Sequence, residues 1–518
     1  MDRSHEVVII GAGISGLVFA ARLSELGIHD IGIYCTAFGA APYVAAINFA
    51  LKENPYGDSA QKYADDMMKA GYGISNQPMV MDMCLASFKA YELLEQWEVA
   101  FSRNKDGSLK LRQTSGSSIP RSLCSVDGLI GIDIIEKIAK GLRNKGIAIN
   151  NGYTAVRLIK DNERVIGAVL KDENGEIHSV YGKAVVAAWG GVGNLVGNST
   201  YPEDIDGAMF GEAFLSGAEM VDMEFWEYEP MIVIDPPGAV GEPCPTAMLA
   251  EGAQLLNSHM ERFVLESRPE GEAGSSKTLL NKEIWKQINN GKGSPHGGVY
   301  ADLRHIPEDI LKKYPWFYDR LKAAGRDPIS ELVEVAPMAH SISGGIKVNR
   351  NYRSGIDGLY AIGEAAGSLH GACRIGGNAA AQAAVSGVIC AEAIAEDIGT
   401  AADGYKEKGL YTENLELRNR YLPVIRKYGG EALGAFRCET MLLRSWDAIV
   451  QLFLSGELDV DTKTRQNAAV ILIMIKAAME RKESRGVHLR EDYPQAIKAF
   501  ERQITITRGN DGLPKVAD

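Results

Sequence analysis

"HEVVIIGAGISGLVFAARLSELGIHDIGIYC", from His5 to Cys35, reads as a strand, a glycine turn, a helix and a second strand. The run "VVII" has the unbroken apolar character of a parallel strand buried on both faces. In the G-x-G-x-x-G spacing that follows, Gly11 permits the tight turn and Gly13 lets the backbone approach a pyrophosphate. Gly16 lets the next helix pack close to the sheet, and the N-terminus of that helix faces the phosphates. Ala12 and Ser15 complete the candidate contacts of this turn. The spacing alone is weak, but between a strand and a helix it predicts a dinucleotide site.

One expected part is missing. An acidic residue usually ends the second strand and binds the adenosine ribose. Here that end reads "IGIYCTA", with Tyr34 and Cys35 in the region. The Thr36 hydroxyl or a backbone group is left to serve the ribose.

Around this unit the chain is of ordinary globular composition. It has 518 residues, 46% of them hydrophobic and 24% charged, enough for two to four domains with substantial cores. A net charge of -12 with no Lys/Arg cluster argues against a nucleic-acid binder. The seven cysteines (35, 84, 124, 244, 373, 390 and 438) are scattered, with no CxxC. No metal or iron–sulfur site of the chain's own is expected. The start "MDRSHEVVII" has no signal-peptide pattern. The greasy run "AAVILIMI" stops at Lys476, too short for a transmembrane segment. A cytoplasmic protein is the expectation.

Further along, "YTAVRLIKDNERVIGAVLKDENGEIHSVYGKAVVAAWGG" reads as three strands, two joined by a "DENGE" turn, ending in Gly190 and Gly191. From about 230 to 340 the texture changes to Pro, Gly and charged loops, as in an inserted domain. Strand–glycine–helix texture returns at "GLYAIGEAAGSLHGACRIGGNAAAQAAVSGVICAEAIAE", and from about 405 the chain reads as helices. No internal repeat is present.

Five blocks in this order carry a resemblance: "VVIIGAGISGL", "AVVAAWGG", "GAEMVDMEFWEYEP", "HSISGGIKVN…GLYAIGEAAGSLHGACRIGGNAAAQAAVSG" and "ESRGVHLREDYP". The chain resembles the flavoprotein subunits of fumarate reductase and succinate dehydrogenase, and L-aspartate oxidase. The resemblance covers nearly the whole chain. It implies an α/β fold: a Rossmann-like FAD-binding domain (1–227 and 340–404), interrupted by an α+β capping domain (228–339), then a C-terminal helical domain (405–518). Catalysis would lie in the cleft between the first two. By the same resemblance Glu364, in the "GE" step after Gly363, would bind the FAD ribose or ribityl region. Gly377, Asn378 and Ala379 would place a helix N-terminus against the flavin pyrimidine carbonyls, where it stabilises negative charge on reduced flavin.

Departures from the family matter too. Its quinone-linked members attach FAD covalently through a histidine before an "AQGG" step. The comparable stretch here, "AAPYVAAINFAL", has no histidine and no glycine pair, so FAD should be non-covalent. Of the three groups around a dicarboxylate in the family, His340 in "HSISGG" matches the first and Arg374 in "HGACRIGG" the second. The third, a His in "QFHP", is replaced by Glu229 in "EYEP".

Each residue also has a plainer reading. His340 could be a core histidine, and Arg374 a structural ion pair rather than a carboxylate clamp. Glu229 either accepts from a substrate amine or hydroxyl, or pairs with Arg374 or a nearby Lys. It would repel a second substrate carboxylate, which argues against plain succinate or fumarate chemistry. The family's proton-handling Arg is absent from "GEAGSSKTLLNKEIW". Lys277 is the nearest candidate, with Thr278 one residue on, and an exposed loop lysine is the alternative. Arg485 and His488 read as structural.

The combined expectation is an FAD-dependent oxidoreductase moving a hydride between flavin N5 and a carbon next to a carboxylate or carbonyl. Its substrate would be a small carboxylate or an amino acid. Its electron partner is unidentified and could be a separate redox subunit. An L-aspartate oxidase-like amino-acid oxidase and a non-catalytic electron-transfer flavoprotein are the alternatives.

Overall fold

The computed structural model describes residues 3–126, 128–398 and 411–517. The boundary expected at 404/405 falls outside them. The first domain is built on a seven-stranded sheet that starts from Arg3–Ile10. This strand lies parallel to Ile31–Cys35 on one side and to Ile177–Ala187 on the other. Ile149–Asn151 adds to the far side of Ile31–Cys35, and Leu359–Ala361 pairs in parallel with Val185–Ala187. The strand expected before the glycine turn and the three-strand stretch with its "DENGE" turn are all present. Val7, Val8 and Ile9 are fully buried, as a two-sided parallel strand requires.

The helix Asn378–Glu396 packs against the first helix, Ile14–Glu25, and against Gln77–Gln96. It is the one helix among the described residues long and apolar enough to cross a membrane, and 67% of its most apolar window is buried inside this domain.

Residues 231–335 form a second hydrophobic core of their own, from Met231 to Val335. Its sheet runs Trp226–Asp235, Val333–Ile342, Val299–Asp302, Gln254–Leu256, all antiparallel. The helix Lys277–Asn289 lies against it, with Ser276 capping its N-terminus. The two long strands, Trp226–Asp235 and Val333–Ile342, belong to both regions. They leave the first domain and become the centre of the second.

The C-terminal part carries three long helices, Leu415–Ala432, Glu439–Leu454 and Thr462–Glu480. It is not purely helical as expected. Thr505–Arg508 and Pro514–Val516 form a hairpin that joins Met220–Val221 of the first domain. The alternation "TITR" puts Ile506 in the core, which a helical reading of this tail overlooks. The Arg485 and His488 side chains are both bonded within the fold. The Arg485 guanidinium lies on the buried carboxylate of Glu483, Nε to Oε1 at 2.7 Å. His488 is buried, with Nδ1 accepting from Arg437 at 2.7 Å and Nε2 donating to the Arg481 carbonyl at 3.0 Å.

Candidate functional site

A groove runs along the C-terminal ends of the parallel strands, where an open α/β sheet binds its ligands. Gly11, Ala12, Gly13, Ser15, Thr36, Gly190, Glu364 and Ala379 all line it. Gly11 stands at φ +113°, and a Cβ there would meet the Ala188 carbonyl oxygen at 2.2 Å. A Cβ on Gly13 would meet nothing nearer than 3.7 Å, so it would project into the groove itself. The buried Trp189 Nε1–H, in the groove wall, has no protein partner. A glycine cradle, an open helix N-terminus and an orphaned donor fit a large phosphate-bearing dinucleotide.

Four expected contacts stand behind the groove. Gly16 backs the turn, where a Cβ would strike the Gly11 carbonyl oxygen at 2.1 Å. Gly363 packs on Ser15, and Gly377, at φ +83°, lies on Asn48. Asn378 turns its side chain away from the groove. Its side-chain oxygen accepts from Asn48 Nδ2 at 2.6 Å and Tyr63 Oη at 2.7 Å, inside the protein. Its own N–H goes to the Ile375 carbonyl at 3.1 Å. Ala379 and Ala380, one turn position further, line the groove instead. Their N–H groups belong to the first turn, which has no intrahelical acceptor. Thr36 is exposed at the groove edge and shares a hydrogen bond with Thr154 at 3.2 Å. Asp204 and Asp206 enter the wall from a different loop. The missing acid of the second strand therefore has neighbours that the linear motif does not predict.

The second site lies where the two long strands cross between domains. Glu227 pairs with Ser341 and Tyr228 with Ala339, so His340 is the extra residue of a β-bulge. Bulges of this kind re-aim a side chain, and here the neighbouring loop holds it. Thr200 donates its N–H to the Ala339 carbonyl at 2.9 Å, and its hydroxyl bonds His340 Nδ1 at 2.9 Å. Burial lowers the His340 pKa, against the opposing pull of Glu229, so the imidazole is neutral. The charges of Glu229, Arg374, Lys277 and Glu227 all reach it. The structure therefore brings the four sequence candidates together.

Arg374 pairs with Glu227, not Glu229. Its Nη2 donates to Glu227 Oε2 and to Ser341 Oγ, both at 2.9 Å, and its backbone N–H donates to Glu227 Oε1 at 2.8 Å. Ser341 Oγ in turn donates to Glu227 Oε2 at 2.8 Å. Burial opposes the charge of Arg374, yet Glu227 and Glu364 hold its pKa above the usual value. Burial likewise opposes ionisation of Glu227, but Arg374 and the hydrogen bonds bring its pKa below the usual range. Glu229 pairs instead with Lys277, the first residue of the helix Lys277–Asn289. This pair differs in exposure: the Lys277 side chain is 51% exposed and Glu229 15%. Cys373, beside Arg374, has its thiol pushed up to about 12 by burial, and stays protonated.

Glu364 joins groove and cleft. It lines the groove, accepts the Tyr201 hydroxyl and accepts the Ile342 N–H at 3.1 Å, two residues beyond His340. Burial raises its pKa against those hydrogen bonds. Sequence reasoning passes over Glu227, Ser341, Thr200 and Tyr201. Glu227 is within its reach, since alternate residues of a strand share a face and Glu229 stands out in "EYEP". Thr200 and Tyr201 carry no linear signal. Away from the cleft, two carboxylate–histidine groups bring ligand-type atoms within 4.8 Å. Each closes on itself, His178 on Asp172 at 2.9 Å and His296 on Glu334 at 3.0 Å.

Comparison with known proteins agrees with this layout. Residues 6–380 match the FAD binding domain family, and residues 462–515 match the fumarate reductase flavoprotein C-terminal family. The chain is 30% identical to the L-aspartate oxidase of Pyrococcus abyssi, over 96% of this chain and 97% of that one. It is 26% identical to one of the subunits of the fumarate reductase (CoM/CoB) of Methanothermobacter marburgensis, over 97% of each. The solved structure of Mycobacterium smegmatis Sdh1 in complex with UQ1 shares its fold, at a TM-score of 0.89 and 24% identity, covering all of this chain and 94% of that one. With the cradle, the cleft and the full-length match in hand, the chain belongs to the fumarate reductase/succinate dehydrogenase flavoprotein family of FAD-dependent oxidoreductases.

Proposed function

We propose that the chain moves a hydride between N5 of bound FAD and a substrate carbon next to a carbonyl or carboxylate, in the cleft of Arg374, His340 and Lys277. The observation that carries this reading is the place of Arg374. It is nearly buried on the loop that runs directly into the helix Asn378–Glu396, whose first residues line the groove.

Bound FAD supplies the hydride donor or acceptor. The chain's residues do the rest. Gly11 to Ser15 and the Ala379–Ala380 turn hold the cofactor, and Glu364 faces it from the groove wall. Arg374 polarises the substrate oxygen, drawing electron density from the carbon that receives or yields the hydride. Neutral His340, fixed by Thr200, gives or takes a hydrogen bond at the same centre. Lys277 and Glu229 lie between the cleft and solvent and carry the proton for the neighbouring carbon. In reduction, the hydride adds to one carbon and a proton from Lys277 to the other; oxidation reverses both.

FAD is held without a covalent bond in this reading, because no histidine lines the groove among the described residues. Acid precipitation should release it; flavin left on the chain would contradict this. The Methanothermobacter marburgensis relative is one part of a multi-subunit fumarate reductase, which supports a separate electron partner. The reading is tested by oxidation of reduced viologen with a panel of enoates and enones. Substrate-dependent turnover is expected. Peroxide release with amino acids alone would favour the oxidase reading, and silence throughout would leave an electron carrier.

A further inference from the structure

Resting on the hydride-transfer reading, one further step follows from the charges of the cleft. Arg374 and Lys277 bring two positive charges, and Glu227 and Glu229 bring two negative ones. His340 is neutral. Among the described residues of the cleft, no positive charge is left over to hold a dianion. The two pairs also differ in how firmly they are closed. Both oxygens of Glu227 are used, by the Arg374 N–H, Arg374 Nη2 and Ser341 Oγ, at 2.8, 2.9 and 2.8 Å. The Glu227 side chain is 12% exposed and Arg374 10%. Opening this pair would strand two charges in a nearly dry site.

Arg374 still has donors to give. Nη2 is committed to Glu227 and Ser341, and Nη1 reaches the Ile375 carbonyl only at 3.5 Å. Among the described residues no partner takes its Nε–H or the second Nη1–H. A guanidinium neutralised by its own chain, with spare N–H groups, suits a neutral acceptor. A carboxylate placed there would face Glu227 at short range.

We infer that Glu227 is a built-in carboxylate that occupies the guanidinium of Arg374, so that the cleft takes a neutral carbonyl compound, an enone or its saturated ketone, rather than a dicarboxylate. In the reductive direction the β-carbon gains the hydride from reduced flavin. The C–C π pair shifts toward the carbonyl oxygen held by Arg374, and the α-carbon takes a proton from Lys277, which solvent re-protonates beside the Glu229 carboxylate. The product is the saturated ketone, and the flavin is left oxidised.

The test uses FAD-loaded protein and flavin difference spectra, with malonate as the dicarboxylate probe and cyclohex-2-enone as the neutral one. Glu227→Gln keeps the shape and frees the guanidinium charge. Malonate should bind this variant at least tenfold more tightly than wild type; a smaller gain overturns the inference. Glu227→Ala serves if the glutamine variant does not retain FAD. Should both lose it, wild type decides. Photoreduced holoprotein should be reoxidised faster by cyclohex-2-enone than by fumarate, and the reverse order overturns the inference while leaving hydride transfer standing. Failure of both compounds to reoxidise the flavin would count against hydride transfer itself, whereas the malonate gain would still assign Glu227 its place.

Discussion

The cofactor groove and the substrate cleft meet at Glu364 but are made of different materials. The groove is mostly backbone: a glycine turn, two helix N-termini and the ends of parallel strands. Its chemistry is carried by N–H groups that every residue has, and by the absence of side chains at Gly11 and Gly13. The cleft is made of side chains in pairs, Glu227 with Arg374 and Glu229 with Lys277: the glutamates on one strand shared by two domains, the arginine on a loop of the first and the lysine on a helix of the second. A backbone site tolerates little change of shape but much change of sequence around it. A side-chain site can keep its scaffold and change its ligand by one residue. The contrast teaches where relatives can share a cofactor and differ in substrate.

The comparison is broken most severely at Gly11. Alanine there meets the Ala188 carbonyl at 2.2 Å in a left-handed conformation. Strain and overpacking together should cost roughly 3–5 kcal/mol. Gly11→Ala should therefore show a lower urea midpoint and purify without FAD; a yellow protein of normal midpoint would contradict the backbone account.

A smaller effect comes from His370, which lies on the same loop as Arg374 but is buried away from the groove. Its Nε2 bonds Gln382 Oε1 at 2.7 Å, and burial lowers its pKa to about 4. A histidine depressed in the fold loses stability as pH falls through its unfolded value, because the unfolded chain takes the proton first. Against His370→Asn, wild type should lose about 2 kcal/mol of relative stability between pH 6.5 and 5. The loss should level off below about pH 4. A flat difference across that window would mean the imidazole is charged in the fold.

The smallest effect concerns the open pair. Lys277 is half exposed, so Glu229→Gln should change stability by no more than about 1 kcal/mol. Its effect should show instead in turnover and its pH profile, if the pair carries the proton. A large fall in melting temperature with unchanged turnover would make Glu229 scaffold.

These differences explain what could be read in advance. The groove was legible because its signals are local: "GAGISG" names the turn, and "GGNAAAQAAVSG" names the second helix start. The architecture followed from the order of such blocks. The side-chain contacts of Asn378 are not legible, because a helix start in the sequence does not say which way the amide points. The pairing of Arg374 was not legible. It depends on the register of Trp226–Asp235 against Val333–Ile342, and on a bulge at His340 that shifts that register. Glu227 and Glu229 sit two apart, yet one meets an arginine from the first domain and the other a lysine from the second.

The central claim, that Arg374 polarises the substrate during hydride transfer, is tested most directly by anaerobic reoxidation of photoreduced holoprotein. Wild type and Arg374→Lys are mixed with cyclohex-2-enone, and the return of oxidised-flavin absorbance is followed. A lysine keeps the charge but not the spread of N–H donors. The account predicts that the variant retains FAD and reoxidises roughly 100-fold more slowly or worse, about 3 kcal/mol of transition-state stabilisation lost. Equal rates in the two proteins would contradict it.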